Sequence, residues 1–236
     1  MEIIPAILEK KFEEIAKKLD FLSQIEDKYS IDFKFVQIDL CDGKFVNNET
    51  WLPDSSKQEE ITKLLSYKNY FNLEFHLMCE DQLKYFLEVE NFKPKSVVIH
   101  LDEILFSKDL EEILNRAKKS LTRIIATAKL DFLDKNREEI LSLLYKHEKT
   151  DLQIMGIEKI GLQGQEFSEK ALALVRYFRN NLDYKDLSIQ VDGSMNENTI
   201  SFAIKAGADK FIVGSYLLKD LEEEKFVANL RKLRQS

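Results

Sequence analysis

Cysteine, glycine and long apolar runs are all scarce in this chain of 236 residues. The two cysteines, Cys41 and Cys79, do not suggest a disulfide framework, and no Cys-x-x-Cys motif or His/Cys cluster indicates structural zinc. No apolar run approaches the roughly 20 residues of a membrane span, and the N-terminus lacks the basic and then apolar segments of a secretion signal. We therefore expect a soluble cytoplasmic protein with no membrane partner.

The composition is typical of a folded domain with an acidic surface. Hydrophobic residues make up 44% of the chain and aromatic residues 11%, which argues against disorder. The formal net charge of −7 disfavours nucleic acid as a partner. The length suits one substantial core better than two small ones, and no linker interrupts the chain, so residues 1–236 are predicted to form a single domain.

Apolar runs of strand length alternate with amphipathic runs of helix length from end to end. The predicted strands are Glu2–Leu8, Phe33–Cys41, Phe71–Met78, Ser96–His100, Thr122–Ala128, Asp151–Ile157, Leu187–Asp192 and Lys210–Val213. The predicted helices are Lys10–Lys28, Ser56–Tyr67, Gln82–Glu90, Ser107–Ser120, Phe132–His147, Ser168–Asn181, Asn196–Ala206 and Leu217–Arg234. Eight strand–helix pairs predict an α/β protein with a (β/α)8 TIM barrel. An open doubly wound sheet has the same alternation, but no Gly-x-Gly-x-x-Gly of a dinucleotide fold follows the first strand.

The glycines lie where a barrel needs its functional loops. Gly207 follows a helix and is predicted to be its C-cap. The other six fall at or just after the predicted end of a strand: Gly43, Gly156, Gly161, Gly164, Gly193 and Gly214. Catalytic and ligand-binding loops of a barrel follow the carboxyl ends of its strands, so these positions favour a functional role.

Two neighbouring glycine-tipped strands lie near the end of the chain. One apolar run ends at Asp192-Gly193, and the next ends at Gly214-Ser215. In a barrel these are strands 7 and 8, whose following loops commonly hold a phosphate on backbone N–H groups. Glycines that only form turns would fit the same pattern. Since both glycines follow strands rather than helices, we favour the ligand site.

Polar residues end several of the predicted strands. Because strand residues two apart face the same side, Gln37 and Asp39 share one face of strand 2, and His76 and Met78 share one face of strand 3. Asp192 ends strand 7. Taken singly, such an aspartate is usually a helix N-cap and such a histidine a hydrogen-bonded core residue. Three of them at one barrel mouth (Asp39, His76 and Asp192) predict a divalent-metal site or an acid–base pair.

Other residues near strand ends are weaker candidates. His100 ends strand 4, and His147 is interpreted as a charge at a helix C-terminus. Met78 and Met155 would by themselves be ordinary core residues.

Several segments resemble, in order and spacing, the motifs of the ribulose-phosphate 3-epimerase family. Ile4–Leu8 resembles that family's P-S-I-L, Gln37–Val46 its H-I-D-V-M-D-G-x-F-V, Phe75–Met78 its x-H-L-M, Gly161–Phe167 its G-F-G-G-Q-x-F, Val191–Ser194 its V-D-G-G, and Gly207–Asp209 with Gly214–Ser215 its A-G-A-D and G-S. The resemblance covers nearly the whole chain. It implies a TIM barrel of the ribulose-phosphate-binding type and is less specific for the substrate.

The resemblance implies an epimerase that inverts C3 of a ketose phosphate, for example ribulose 5-phosphate to xylulose 5-phosphate. Two aspartates of the family, here Asp39 and Asp192, act as acid and base on opposite faces of the substrate. With two histidine positions, here His76 and Gln37, they bind one divalent metal per chain (Zn, Mn, Fe or Co), which stabilises the enediolate oxygens. The pocket methionines of the family match Met78 and Met155, and its phosphate-binding residues match Gly164, Gly193, Ser194, Gly214 and Ser215. A small phosphorylated sugar as substrate, a homo-oligomer and a place in the pentose phosphate pathway are implied as well.

This chain departs from the family's motifs inside the implied site. Gln37 replaces a metal-binding histidine, and an amide oxygen is a poorer ligand for a borderline metal. Ala6 replaces a serine that contacts the substrate, and Cys41 replaces a pocket methionine. The loop after strand 5 lacks the family's Asn-Pro, and the loop after strand 6 carries an inserted residue.

The departures leave three functions open. The first is an active epimerase, because both aspartates are retained. The second is a sugar-phosphate-binding relative that has lost turnover. The third is a lyase or decarboxylase on a phosphorylated substrate, for which Lys129 and Lys159 are candidates by position alone.

Overall fold

Eight parallel strands close into a barrel in the computed structural model of the protein, which describes residues 1–54, 56–147, 150–162, 164–182 and 187–236. Each strand pairs with the next along the chain. The last strand pairs with the first, from Glu2 opposite Lys210 to Pro5 opposite Val213. The predicted (β/α)8 barrel is therefore confirmed, and the open sheet is wrong. Gln163 of the Gly161–Phe167 motif lies outside the described residues.

The strands agree with the predicted ones to within two residues at each end. They are β1 Glu2–Ile7, β2 Phe35–Cys41, β3 Asn72–Met78, β4 Ser96–His100, β5 Arg123–Thr127, β6 Thr150–Met155, β7 Ile189–Asp192 and β8 Lys210–Val213. The helices are α1 Phe12–Tyr29, α2 Gln58–Ser66, α3 Gln82–Glu90, α4 Lys108–Ser120, α5 Leu130–Lys135, α6 Arg137–Lys146, α7 Glu169–Asn181, α8 Ile200–Ala206, α9 Ser215–Leu218 and α10 Glu223–Gln235, with one 3₁₀ turn at Tyr67–Asn69.

Side chains alternate between two environments along each strand. In β2, Val36, Ile38 and Leu40 point outward into the large apolar core between the strands and the helices. Their neighbours Gln37 and Asp39 are also buried but point into the barrel, where they contact other polar groups. Because the outward-facing side chains are so apolar, the strands appear in the sequence as apolar runs. The few polar positions within them mark side chains that point into the barrel.

Three predicted helices differ from the observed ones. The helix predicted at Phe132–His147 is two helices, because Asn136 leaves the helical conformation and its amide bonds back to the Phe132 carbonyl. The helix predicted at Leu217–Arg234 is interrupted at Leu221, whose φ is 49°. The helix predicted from Asn196 begins only at Ile200.

Among the helices that the structure describes, none combines the length and the apolar character needed to cross a bilayer.

Candidate active site

Three ionisable side chains from three strands meet inside the barrel near its mouth. Asp39 of β2 is paired in register with His76 of β3, and Asp192 is the last residue of β7. Nδ1 of His76 lies 3.4 Å from Oδ1 of Asp39 and 3.3 Å from Oδ2 of Asp192. One ligand atom from each residue lies within 4.8 Å of the other two, so the group has the dimensions of a metal site. The convergence predicted from the strand ends is observed.

Gln37 lies directly against both carboxylates. Its amide nitrogen donates a hydrogen bond to Oδ1 of Asp39 at 2.8 Å and to Oδ2 of Asp192 at 3.4 Å. Its amide oxygen is buried and has no hydrogen-bond partner. A half-turn of the amide exchanges the two atoms and directs the oxygen at the carboxylate pair. Gln37 therefore contacts both carboxylates, and after such a turn its oxygen is available for a cation.

Burial and charge together perturb the ionisation of this group. Burial raises the pKa of Asp39; His76 opposes this rise, and the nearby Asp192 carboxylate adds to it. Burial disfavours the charged form of His76, but the carboxylates of Asp192 and Asp39 outweigh it and raise the pKa of the imidazole to about 9. The imidazolium thus supplies one positive charge to two carboxylates, and a cation that binds to its Nδ1 must displace the proton there.

A second polar group continues from Asp192 into the barrel, and we call it the polar column: Asp192, Gln153, Gln190, Glu74 and Ser96. Nε2 of Gln153 donates to Oδ2 of Asp192 at 3.2 Å, and Nε2 of Gln190 donates to Gln153 at 2.7 Å and to Glu74 at 3.0 Å. The Ser96 hydroxyl donates to the other oxygen of Glu74 at 2.6 Å. Burial raises the pKa of Glu74. Sequence reasoning missed Gln153, although it lies two residues before Met155 and so shares its face.

His100, the weaker candidate, contacts the site from behind. Its Nε2 lies 3.0 Å from Nε2 of His76, and its Nδ1 lies 3.4 Å from Oδ2 of Asp102. Burial, the dominant effect, lowers the pKa of His100 to about 4 in spite of Asp102. Asp102 was also missed, although the same two-residue spacing from His100 would have indicated it.

The carboxylates open into a cavity of about 550 Å³ at the barrel mouth, a size typical of small-molecule sites. Its lining includes the residues predicted from the sequence together with Ala6: Asp39, Asp192, Met78, Met155, Gly164, Gly193, Ser194, Gly214 and Ser215. Gln37 and His76 lie beneath this lining and are fully buried.

The loop after β7 begins with two residues in the left-handed region of the backbone. Gly193 and Ser194 both have positive φ, at 110° and 55°. A Cβ at Gly193 would lie 2.9 Å from the Ile157 side chain, so glycine is required there. The helix that follows begins at Ile200 with Thr199 as its N-cap, so Asp192 is not a helix cap. Gly207 ends that helix with a φ of 107°, and its predicted role as a C-cap is confirmed.

The lysines proposed for a lyase do not line the described part of the cavity. The Lys129 ammonium instead lies over the Phe45 ring, 4.5 Å from its centroid. Lys219 is the lysine that does line the described cavity, beside Gly214 and Ser215. This placement gives the lyase alternative little support.

The fold and the site together define a (β/α)8-barrel protein with a carboxylate–imidazole centre beneath the barrel mouth. The sequence model of the Ribulose-phosphate 3 epimerase family matches residues 2–218, and the chain belongs to this family.

Individual relatives are distant but match over most of their length. The chain is 25% identical to a ribulose-phosphate 3-epimerase of Helicobacter pylori over 239 residues, which covers 100% of this chain and 99% of the relative. It is 26% identical to the enzyme of that name from Escherichia coli K12 over 83% of this chain and 82% of the relative. Among solved structures, 3-keto-L-gulonate-6-phosphate decarboxylase from Vibrio cholerae superimposes with a TM-score of 0.68 over 99% of this chain and 97% of that one, at 9% identity. Such a low identity shows a shared fold and no more.

Proposed function

We propose that the protein is a ketose-phosphate 3-epimerase that interconverts ribulose 5-phosphate and xylulose 5-phosphate or a closely related pair. The observation that carries this proposal is that Asp39 and Asp192 both line one cavity whose lining also includes the glycine loops after β7 and β8. The family membership and the names of the relatives support the same activity.

In the proposed reaction the two carboxylates exchange protons with C3 of the substrate. One removes the C3 proton, and the other delivers a proton to the opposite face, which inverts the centre. Burial raises the pKa of Asp39, which suits a group that must both take and give a proton. Gln153 and Gln37 donate to Oδ2 of Asp192 and so orient its carboxylate.

The residues present fit a divalent cation. Asp39, His76 and Asp192 offer three ligand atoms, and the orphaned amide oxygen of Gln37 offers a fourth after a half-turn. Bound there, the cation would stabilise the negative charge that develops on the enediolate oxygens. Since three of these four donors would be oxygens, we expect Mn²⁺ to compete well with Zn²⁺ at this site.

The phosphate of the substrate is assigned to the glycine loops after β7 and β8. Gly193, Ser194, Gly214 and Ser215 line the cavity, and backbone N–H groups in such loops suit an anion. The exposed Lys219, which also lines the cavity, adds a positive charge. Met78 and Met155 provide an apolar part of the lining.

The experiment that tests the proposal is deuterium exchange at C3 of ribulose 5-phosphate in D₂O, with Mn²⁺, Co²⁺ or Zn²⁺ added to metal-depleted protein. We expect exchange and xylulose 5-phosphate formation with at least one metal. His147→Gln, at a helix end remote from the described cavity lining, is the matched control and should behave as the unmodified protein. If C3 exchange occurs with none of these metals, the proposal is wrong.

A second candidate is a sugar-phosphate-binding protein without turnover. It is favoured by the hydrogen bonds from Gln37 to both carboxylates, since these satisfy the acids without a metal. Thermal stabilisation by sugar phosphates without any C3 exchange would support it. The homo-oligomer remains a prediction, which light scattering of the purified protein tests.

A further inference from the structure

The imidazoles of His76 and His100 meet edge to edge. Their planes lie 9° apart, and their centroids are 5.1 Å apart while their Nε2 atoms are only 3.0 Å apart. At that distance one Nε2 must carry a hydrogen and the other must accept it, because two N–H groups or two lone pairs would repel. One of the two rings is therefore the donor of this hydrogen bond, and the other is the acceptor.

Asp102 determines which of the two rings donates. Its Oδ2 lies 3.4 Å from Nδ1 of His100, and a carboxylate only accepts, so the hydrogen of His100 belongs on Nδ1. The backbone N–H of Lys129 holds the same carboxylate from the other side, at 3.2 and 3.3 Å from its two oxygens. With its hydrogen on Nδ1, His100 presents a bare Nε2, and His76 must donate from its own Nε2.

Donation from Nε2 determines what the other nitrogen of His76, Nδ1, can do. Nδ1 of His76 is fully buried, faces Asp39 and Asp192, and has no hydrogen bond of good geometry. When a cation between the carboxylates displaces the Nδ1 proton of the imidazolium, the remaining hydrogen must lie on Nε2 for Nδ1 to offer its lone pair.

We propose that Asp102, acting through His100, fixes the tautomer of His76 and so prepares Nδ1 as a metal ligand. Asp102 and His100 are thus positioning residues. His100 is hydrogen-bonded to His76, and Asp102 is hydrogen-bonded to His100. This inference rests on the proposed use of His76 as a ligand but not on epimerase activity.

Removal of Asp102 releases both rings. His100 is then free to place its hydrogen on Nε2 and donate to His76, which can accept only by giving up its Nε2 hydrogen and keeping the one on Nδ1, between the two carboxylates. That tautomer blocks the metal position. Loss of such an outer partner commonly weakens metal binding by about 10–100-fold, and we expect an effect of that size.

The direct test is ¹⁵N NMR of the imidazoles in metal-free protein labelled at histidine. The chain has three histidines, so His147→Gln identifies the signals of the third ring, and the contact of His100 with the Phe45 ring, 4.7 Å between centroids, tells the other two apart. We expect a bare, pyridine-type Nε2 and a protonated Nδ1 for His100, and a protonated Nε2 for His76. A protonated Nε2 on His100 in the unmodified protein would overturn the inference, and this measurement needs no variant that might fail to fold.

Variants supply the second readout. Asp102→Ala should convert Nε2 of His100 to the protonated form and weaken Mn²⁺ binding, measured by chelator competition, by about 10–100-fold. Asp102→Glu should restore both, and Glu103→Ala, an exposed carboxylate in the same loop, should change neither. Unchanged nitrogen signals and Mn²⁺ affinity in Asp102→Ala would contradict the inference. If the NMR pattern and metal effect appear but C3 exchange does not, the proposed function fails while this inference stands.

Discussion

Nε2 of Gln37 lies 2.8 Å from Oδ1 of Asp39, so a neutral amide donates a hydrogen where the family's motif has a metal-binding imidazole. The bond satisfies the carboxylate when no cation is bound, and it leaves the amide oxygen buried without a partner. In the proposed cation complex the amide turns, which breaks this bond. Part of the binding free energy would then be used to replace the Gln37–Asp39 hydrogen bond.

The replacement Gln37→His tests this relationship. Imidazole nitrogen is a better ligand than an amide oxygen for Zn²⁺ or Co²⁺. We expect affinity for these ions to rise by about 10–100-fold, with a rise in any epimerase activity. Chelator competition measures the affinity, and Gln37→Leu, which removes the donor, should weaken it. Equal affinity in the Gln37→His and unmodified proteins would show that residue 37 does not contact the metal.

The replacement Asp192→Asn separates an enzyme from a binder. An amide cannot shuttle the proton, and general acid–base catalysis is worth roughly 10²–10⁴-fold, so we expect turnover to fall by that much. Sugar phosphate should still bind through the Gly193 and Gly214 loops, while metal affinity falls. C3 exchange, thermal shift with ligand and circular dichroism report the three properties. Turnover equal to that of the unmodified protein would exclude the catalytic role.

The replacement Gly193→Ala tests the proposed phosphate-binding role of the loop after β7. Gly193 has a φ of 110°, and an added Cβ would lie 2.9 Å from Ile157. We expect the free energy of unfolding to fall by about 1–3 kcal/mol and phosphate-dependent thermal stabilisation to be lost.

Gly164→Ala is the matched control for this prediction. Its φ is also positive, at 75°, but nothing lies within 4 Å of an added Cβ. Only the backbone cost remains, about 1 kcal/mol. Urea denaturation of both variants measures the difference, and equal losses would show that the Ile157 contact is unimportant.

The replacement Glu74→Gln changes how stability depends on pH. Burial raises the pKa of Glu74 in the folded protein above its ordinary value of 4.5. The folded state therefore holds the proton more tightly than the unfolded state, so this group favours folding at low pH and loses that contribution as pH rises through the folded pKa. Glutamine can accept from Gln190 and donate to Ser96, and it carries no charge to bury.

We therefore expect Glu74→Gln to be more stable than the unmodified protein at neutral pH. The difference should shrink as pH falls and vanish below the ordinary carboxyl pKa. Urea denaturation at several pH values measures it. A variant that is less stable than the unmodified protein at neutral pH would show that the ionised Glu74 carboxylate itself stabilises the polar column.

The strands and the core of the site were predictable because parallel strands are buried on both faces. In such strands a polar residue is costly, so Gln37, Asp39, His76 and Asp192 stand out, and their two-residue spacing fixes their side. The breaks in the helices were not predictable in this way. Asn136 and Leu221 leave the helical conformation through local turns that hydrophobic periodicity does not report.

The contacts behind the site depend on the register in which neighbouring strands pair. Strand pairing sets His76 opposite Val98, which brings His100 one step nearer the mouth on the same face. The sequence of β3 or of β4 taken alone does not predict the contact between His76 and His100. Gln153 was missed for the same reason, because its contact with Asp192 arises from the pairing of β6 with β7.

The polar column has a consequence for how the barrel folds. Its central hydrogen bond joins Glu74 to Gln190, which is 116 positions later in the chain. Ser96 and Glu74 come from the first four strands, whereas Gln153 and Gln190 come from the last four. A fragment holding either set alone would leave polar groups of its interior without partners, at a cost of about 1–3 kcal/mol each. The two halves of the chain should therefore gain stability together and unfold in one cooperative transition, with few half-barrel species along the way.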